Sequence, residues 1–243
     1  MQRVFISNEL TDQITLSGED YHHLIEVLRY QKGKTFEVAD KLGQVAVYEV
    51  NKINESKKTL DIKLVSKNDR DTELPVEVTL ICALTKGKKI DETVEKGSEF
   101  GANHFIFYHS KYSPVKYSDE WGQKKEERLN KIALTAAKQS HRNFIPTVTV
   151  QEHLLWDELE FQTKFLAYEK ASDSKSDLKE RLSKIAIPSS LCCAFGPEGG
   201  FASKEVEEFI EHGFHSISLG RRILRAENAP LFFLSVLSFY FEI

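Results

Sequence analysis

The sequence predicts an α/β fold in which a small β-barrel precedes a larger domain built on a parallel sheet. Three observations carry that expectation. Short strand-like runs crowd the chain before Val65, apolar runs alternate with helical stretches after Pro75, and a polar segment from Ser66 to Leu74 separates the two patterns. Domains are therefore expected over residues 1–70 and 74–243.

In the first domain, Arg3 to Ile6, Thr35 to Ala39, Gln44 to Asn51 and Thr59 to Val65 carry the β-branched and aromatic residues of strands. Turn chemistry stands at Lys32-Gly33, Leu42-Gly43 and Asn54-Glu55-Ser56. One helix interrupts the strands. Ser17 is placed to cap it, Asp20 lies in its first turn, Leu24, Val27 and Leu28 recur at helical spacing, and Arg29 closes it. His22 and His23 are one residue apart on this helix, so they do not face a common ligand and read as surface or capping histidines.

In the second domain, Val76 to Leu84 is a near-continuous apolar run, as in a strand covered on both faces of a parallel sheet. A helix is expected over Ile90 to Phe100. Further strands are expected at Phe105 to Tyr108, Phe165 to Tyr168, Leu191 to Phe195 and Ser216 to Leu219, with helices at about Glu120 to Ser140, Asp177 to Ile185 and Ser203 to His212. Open parallel sheets bind ligands beyond the carboxyl ends of their strands, which should bring the loops after Leu84, Tyr108, Phe195 and Leu219 to one edge. The closing stretch, Ala229 to Ile243, is shorter than the ~20 residues that span a bilayer and reads as a buried helix. Its apolar residues, among them Phe232, Phe233, Leu237 and Phe239, exceed one core-facing stripe, which points to a homodimer through this helix.

The chain has 243 residues, 41% of them hydrophobic, enough for one large core or two smaller ones. Ser7, Asn8 and Glu9 interrupt the first apolar residues before a signal peptide could form, so a cytoplasmic protein is expected. A formal net charge of -4 provides no overall attraction for nucleic acid, and RNA binding would have to use local basic patches. Three exist: Lys86, Lys88 and Lys89; Lys124, Lys125, Arg128 and Lys131; and Arg221, Arg222 and Arg225. Cys82, Cys192 and Cys193 lack metal-ligand spacing and sit in apolar runs, so neither zinc nor a disulfide framework is expected.

Two loops carry the chemistry. The strand ending at Phe195 empties into Gly196-Pro197-Glu198-Gly199-Gly200, and Ile217-Ser218-Leu219 leads into Gly220-Arg221-Arg222-Ile223-Leu224-Arg225-Ala226-Glu227. Glycine-rich turns let main-chain donors and acceptors lie against a ligand such as the polar edge of a purine, with Leu219 and Ile223 as flanking apolar cover. Neither common phosphate-binding glycine fingerprint is present.

These loops resemble those of the RsmE family, SPOUT-class methyltransferases acting on uridine N3 of bacterial 16S ribosomal RNA. The resemblance extends to Lys86-Gly87-Lys88-Lys89-Ile90-Asp91, to Val94-Glu95-Lys96-Gly97-Ser98-Glu99-Phe100-Gly101, to Ala136-Ala137-Lys138-Gln139-Ser140-His141-Arg142 with Pro146, and to His22-His23-Leu24-Ile25-Glu26-Val27-Leu28-Arg29. It implies a PUA-like RNA-binding barrel followed by a SPOUT domain with a trefoil knot. It also implies S-adenosylmethionine as cofactor, held by Leu84, Phe195, Gly196, Pro197, Glu198, Gly199, Gly200, Leu219, Gly220, Ile223 and Leu224. RNA contacts are implied for Arg29, Lys86, Lys88, Gln139, Ser140, Arg142 and Arg221, with 16S rRNA or the small ribosomal subunit as partner.

Uridine N3 is a weak nucleophile until its proton leaves, so such a site must stabilise a developing uracil anion. Arg222 and Arg225 are the candidates for that charge, and no metal is required. Glu227 is a candidate to accept the proton or to hold Arg225 in position. Asn228 stands where the family usually has threonine. Two rival readings accompany this one: a SPOUT ribose 2′-O-methyltransferase, and a non-catalytic RNA-binding assembly factor.

Overall fold

A computed structural model describes residues 1–68, 70–168 and 177–243, and the chain divides into two compact units. Of the polar segment 66–74, Asp69 lies outside the described residues.

The first unit comprises Met1–Glu73 and Ala137–Ile145. Its strands are β1 (Arg3–Phe5), β2 (Gln13–Ser17), β3 (Thr35–Ala39), β4 (Val45–Asn54) and β5 (Thr59–Asn68), arranged β1-β3-β4-β5-β2. Only β1 and β3 pair in parallel, and β1 and β2 end the sheet without meeting, so it is a half-barrel. Val4, Leu16, Leu24, Phe36, Val38, Tyr48, Leu60 and Ile62 fill its core. Strand β2 was not expected, although Gln-Ile-Thr-Leu-Ser alternates, with Leu16 turned inward.

The helical segment departs from expectation. A single turn, α1 (Gly18–Tyr21), gives way to a π-helical turn over His22–Val27, and Ser17 makes no side-chain cap. Leu28 N–H donates to the carbonyl of His23, five residues back. That wider turn breaks the three-to-four spacing, so Leu24 is buried while Val27 and Leu28 are exposed. His22 bonds Glu26 and His23 lies against Gln2, as separate contacts.

The return of residues 137–145 to this unit corrects the expected division at 70–74, which assigned them to the second domain. The reason is a buried anchor. The Arg3 guanidinium donates to the carbonyls of His141 and Arg142 at 2.5 and 2.8 Å and to Asn143 Oδ1 at 3.1 Å.

The second unit comprises Leu74–Ala136 and Pro146–Ile243. Its strands are β6 (Val76–Ala83), β7 (His104–Tyr108), β8 (Thr147–Gln151), β9 (Thr163–Ala167), β10 (Ser189–Phe195) and β11 (His215–Ile217). They form one parallel sheet in the order β11-β9-β10-β6-β7-β8. Strand β8 was also not expected; its Val148 and Val150 point inward between exposed threonines. The helices are α2 (Lys89–Glu99), α3 (Asp119–Gln139), α4 (Asp177–Leu182), α5 (Ser203–Glu211) and α6 (Asn228–Phe241), with the end of α3 counted in the first unit. One face of the sheet packs Leu80, Val94, Phe105, Leu129, Phe165, Phe233 and Leu237, and the other packs Ile81, Tyr108, Leu166, Cys192, Phe209 and Phe214. Both faces are covered, as the apolar run of β6 anticipates.

Three of the four cations of the second basic patch are paired within the second unit, and Lys131 is exposed. Asp91, 9% exposed, is held by Lys125 at 2.8 Å and by Arg128, while Lys124 pairs with Glu120 on the same helix. Among the described residues, no helix is long and apolar enough to cross a membrane.

Candidate active site

Strands β6 and β10 are neighbours at the centre of the sheet, with Phe195 opposite Cys82, so the loops that leave their carboxyl ends start side by side. In the first loop, the Gly200 N–H donates to the Pro197 carbonyl at 2.9 Å, closing a tight turn, and Gly200 takes a φ of 72° that favours glycine. Pro197 is buried, and Glu198 and Gly199 face outward.

The second loop begins at the edge strand β11, separated from β10 by β9. Gly220, with a φ of 112°, turns the chain. The segment then passes back over the strand ends. Ala226 and Glu227 line a small chamber together with Cys82, Ala83, Thr85, Ile90, Thr93, Phe107, Phe195 and Gly196. Two expected loops thus converge through Gly196, Ala226 and Glu227 on the carboxyl edge of β6 and β10.

A residue absent from the expected site joins them. Lys89 opens α2, and its Nζ lies 2.9 Å from Glu198 Oε1 and 3.4 Å from Glu227 Oε2. The hydrogen bond that Lys89 donates to Glu198 holds its ammonium above the ordinary lysine range, against partial burial. Burial pushes the Glu198 carboxyl upward, but the bond from Lys89, a backbone hydrogen bond and the charges of Lys89 and Lys86 together outweigh it and leave the group below the usual carboxylate range. Glu227 Oε2 is buried, and its contact with Lys89 at 3.4 Å is the longer and weaker of the two that the ammonium makes. Lys89 had been visible only as one of three lysines in a basic patch, and no sequence signal separated it from Lys86 and Lys88, which are exposed.

Glu227 therefore does not hold Arg225, a role the sequence left open. The carboxylate turns inward to the chamber and Lys89, whereas Arg225 faces outward. Arg225 contributes its carbonyl instead, accepting the Asn228 and Ala229 N–H groups where α6 begins. Among the described residues, Arg221, Arg222 and Arg225 are exposed and form no ion pair. Ile223 is 88% exposed, so it covers nothing in the protein itself, while Leu219 and Leu224 are half-buried. Leu84 is fully buried in the core, its N–H bonded to the Tyr108 carbonyl at 2.8 Å, and it does not line the chamber.

The remaining expected RNA contacts lie in the first unit. Arg29 is exposed, with a left-handed φ of 54°, Gln139 is exposed, and Ser140 is half-buried. Arg142 is corrected: it is 2% exposed and its guanidinium is taken by Glu73, which leaves none of it for a solvent-borne phosphate.

Comparison with known proteins supplies the family. A model of the RNA methyltransferase domain matches residues 72–238, and one of the RNA methyltransferase PUA domain matches residues 16–65. The chain belongs to the RsmE family of ribosomal RNA small subunit methyltransferases. It is 35% identical to the ribosomal RNA small subunit methyltransferase E of Bacillus subtilis, over 100% of this chain and 98% of that one. The enzyme of the same name from Neisseria gonorrhoeae, solved bound to S-adenosylmethionine, superposes with a TM-score of 0.84 at 25% identity, covering 99% of this chain and 98% of that one. A Legionella pneumophila structure described as a methyltransferase with bound S-adenosylmethionine gives 0.81 at 26% identity over 98% and 97% of the two chains. This member of the RsmE family is thus a methyltransferase with a PUA domain ahead of its parallel-sheet domain.

The chamber has room for little more than one water molecule, so S-adenosylmethionine would lie along the loops at its mouth rather than fill it. That cofactor carries positive charge at its sulfonium and amino group, and the exposed Glu198 and part-buried Glu227 bring two carboxylates to this edge. Gly196 contributes main chain at the chamber wall, and a Cβ there would come within 3.1 Å of the Phe201 ring.

Proposed function

We propose that this RsmE-family enzyme methylates N3 of a uridine in 16S ribosomal RNA, using S-adenosylmethionine held by the loops 196–200 and 219–224. The single observation that carries the reading is the convergence of Gly196, Ala226 and Glu227 on one chamber at the carboxyl edge of the parallel sheet. The bound cofactor supplies an electrophilic methyl group already activated by its sulfonium. The chain's own residues then have three tasks.

The first is orientation: main-chain atoms of the two glycine turns hold the cofactor so that the methyl group faces the base. The second is charge. Arg222 and Arg225, exposed and without an ion pair among the described residues, stabilise the uracil anion as it develops. The third is the proton. The Glu227 carboxylate, held beside Lys89, accepts the N3 hydrogen as the base engages. Arg29, Lys86, Lys88, Gln139, Ser140 and Arg221 contact the RNA backbone or the bases around the target, with Arg29 acting from the PUA domain. The return of residues 218–227 across the strand ends supports a trefoil knot, in which this segment threads an earlier loop.

The enzyme works as a homodimer through α6. Phe233, Leu234 and Leu237 are fully buried, while Phe239 is 71% exposed and Phe232 38% exposed on the rest of the same helix. A ribosomal substrate makes it a cytoplasmic protein acting on 16S rRNA or the small subunit.

Tritiated methyl transfer to small-subunit RNA, followed by nucleoside analysis, tests the reaction. N3-methyluridine is expected from the wild type and little from Arg222→Ala. A ribose-methylated product would replace this reading with 2′-O-methylation, and cofactor binding without any transfer would overturn the enzyme's assignment to this RNA. Sedimentation at micromolar concentration should give a dimer for the wild type and a monomer for Phe239→Asp.

A further inference from the structure

Lys89 occupies a position that its helix does not favour. It stands in the first turn of α2, where the partial positive charge of a helix amino terminus repels a cation. It is also the point where the two glycine-containing loops meet a single charge: Glu198 comes from the loop after β10, and Glu227 from the loop after β11. Among the described residues, no other ion pair links these two segments. Removing the ammonium would leave two carboxylates on converging loops without an intervening cation. The contact with Glu198 at 2.9 Å is the stronger arm of this bridge, and the one to Glu227 Oε2 at 3.4 Å the weaker. Lys86 and Lys88, two neighbours of like charge, are exposed and hold neither carboxylate.

We propose that Lys89 is a positioning residue: its ammonium latches the loop carrying Glu198 to the loop carrying Glu227, and so fixes where the Glu227 carboxylate stands beside the cofactor cleft. The proposal rests on the cofactor and substrate reading above. It assigns the latch to closure of the cofactor cleft, so its loss weakens cofactor binding as well as turnover. A lysine serving only to stabilise the fold would lower the unfolding midpoint and leave the cofactor affinity of the folded fraction unchanged.

The test uses the full chain, with calorimetry of S-adenosylmethionine, methyl transfer to 16S rRNA and thermal unfolding for each variant. Lys89→Met is expected to weaken cofactor binding about tenfold, the scale of a lost charge-assisted hydrogen bond, and to lower kcat as well. Lys89→Arg, which keeps a charge able to span both carboxylates, is expected to recover most of the affinity. Adding Glu198→Gln to Lys89→Met is expected to cause no further loss, because the latch is already open. Cofactor binding by Lys89→Met within about twofold of wild type overturns the proposal, as do losses that are fully additive with Glu198→Gln. Should Lys89→Met fail to fold, Lys89→Arg and Glu198→Gln supply the same comparison: wild-type affinity in Glu198→Gln then overturns the latch. A wild type that takes up no cofactor would instead overturn the function proposed above, which separates the two failures.

Discussion

The guanidinium of Arg142 is clamped by the carboxylate of Glu73, its Nε lying 2.9 Å from both oxygens and its Nη2 closing the second arm. The two side chains are only 3% and 9% exposed, and the Asn143 N–H adds a bond to Glu73 Oε1 at 2.7 Å. Glu73→Ala would strand a buried cation and a main-chain donor together. The expected loss is about 3–5 kcal/mol in the first unit, because removing one partner of a buried pair leaves the other charge uncompensated. Urea unfolding followed by a probe in that unit measures it. A change under about 1 kcal/mol would mean that water reaches Arg142 in solution.

The cysteines should be chemically silent in the folded protein. Burial raises the Cys192 thiol to about 12 and pushes Cys82 and Cys193 further up. The thiolate is the reactive form, so an aromatic disulfide reagent at pH 8 should find almost no reactive thiol in the native state and all three after unfolding in urea. Rapid labelling of Cys192 without unfolding would show that β10 opens locally.

Glu37 sets an acid limit on the first unit. Burial raises its carboxyl, but hydrogen bonds and charge from His141 and Arg3 outweigh it and bring the group below the ordinary carboxylate value. A depressed folded value means that the stabilisation is fully present above the unfolded pKa of 4.5 and is lost as pH falls through the folded one. Stability of this unit should therefore decline below about pH 4.5 in the wild type. Glu37→Gln should be less stable at pH 7 and show a shallower decline over the acid window. Parallel curves for the two proteins would remove Glu37 from the acid response.

Much of this architecture could be read from residue order alone. The run Val76 to Leu84 declared a strand covered on both sides, and the glycine turns after Phe195 and Leu219 pointed to the edge where the loops converge. Three things were hidden, each for a physical reason. The π turn at His22–Val27 has the composition of an ordinary helix, and its wider pitch depends on the bond from Leu28 to His23. Residues 137–145 look like the end of a long helix, and contacts such as the reach of Arg3 across 138 positions tie them to the first unit. Lys89 is indistinguishable from the lysines beside it until the fold brings Glu198 and Glu227 to it from 109 positions away and beyond. Long-range pairing leaves no local pattern, and these pairs decide which charges are occupied and which are free.

Which charges are free leads to the last prediction. Arg221, Arg222 and Arg225 share one exposed loop that leads to Glu227, and none of them forms an ion pair within the described protein. If Arg222 and Arg225 meet the uracil anion, alanine at either should lower kcat about 10²–10³-fold, as loss of a transition-state donor does, with cofactor affinity nearly unchanged. Arg221 has a different expected role. A backbone contact adds affinity without sequence reading, so Arg221→Ala should raise KM for RNA, leave kcat close to wild type and reduce the salt dependence of RNA binding by roughly one phosphate contact. Steady-state kinetics on small-subunit RNA at two or three salt concentrations separates the roles, because kcat reports the donor and the salt slope reports the phosphate. If Arg222→Ala and Arg225→Ala change only KM and the slope, all three arginines grip the backbone, and the anion must be met by a residue from elsewhere in the chain.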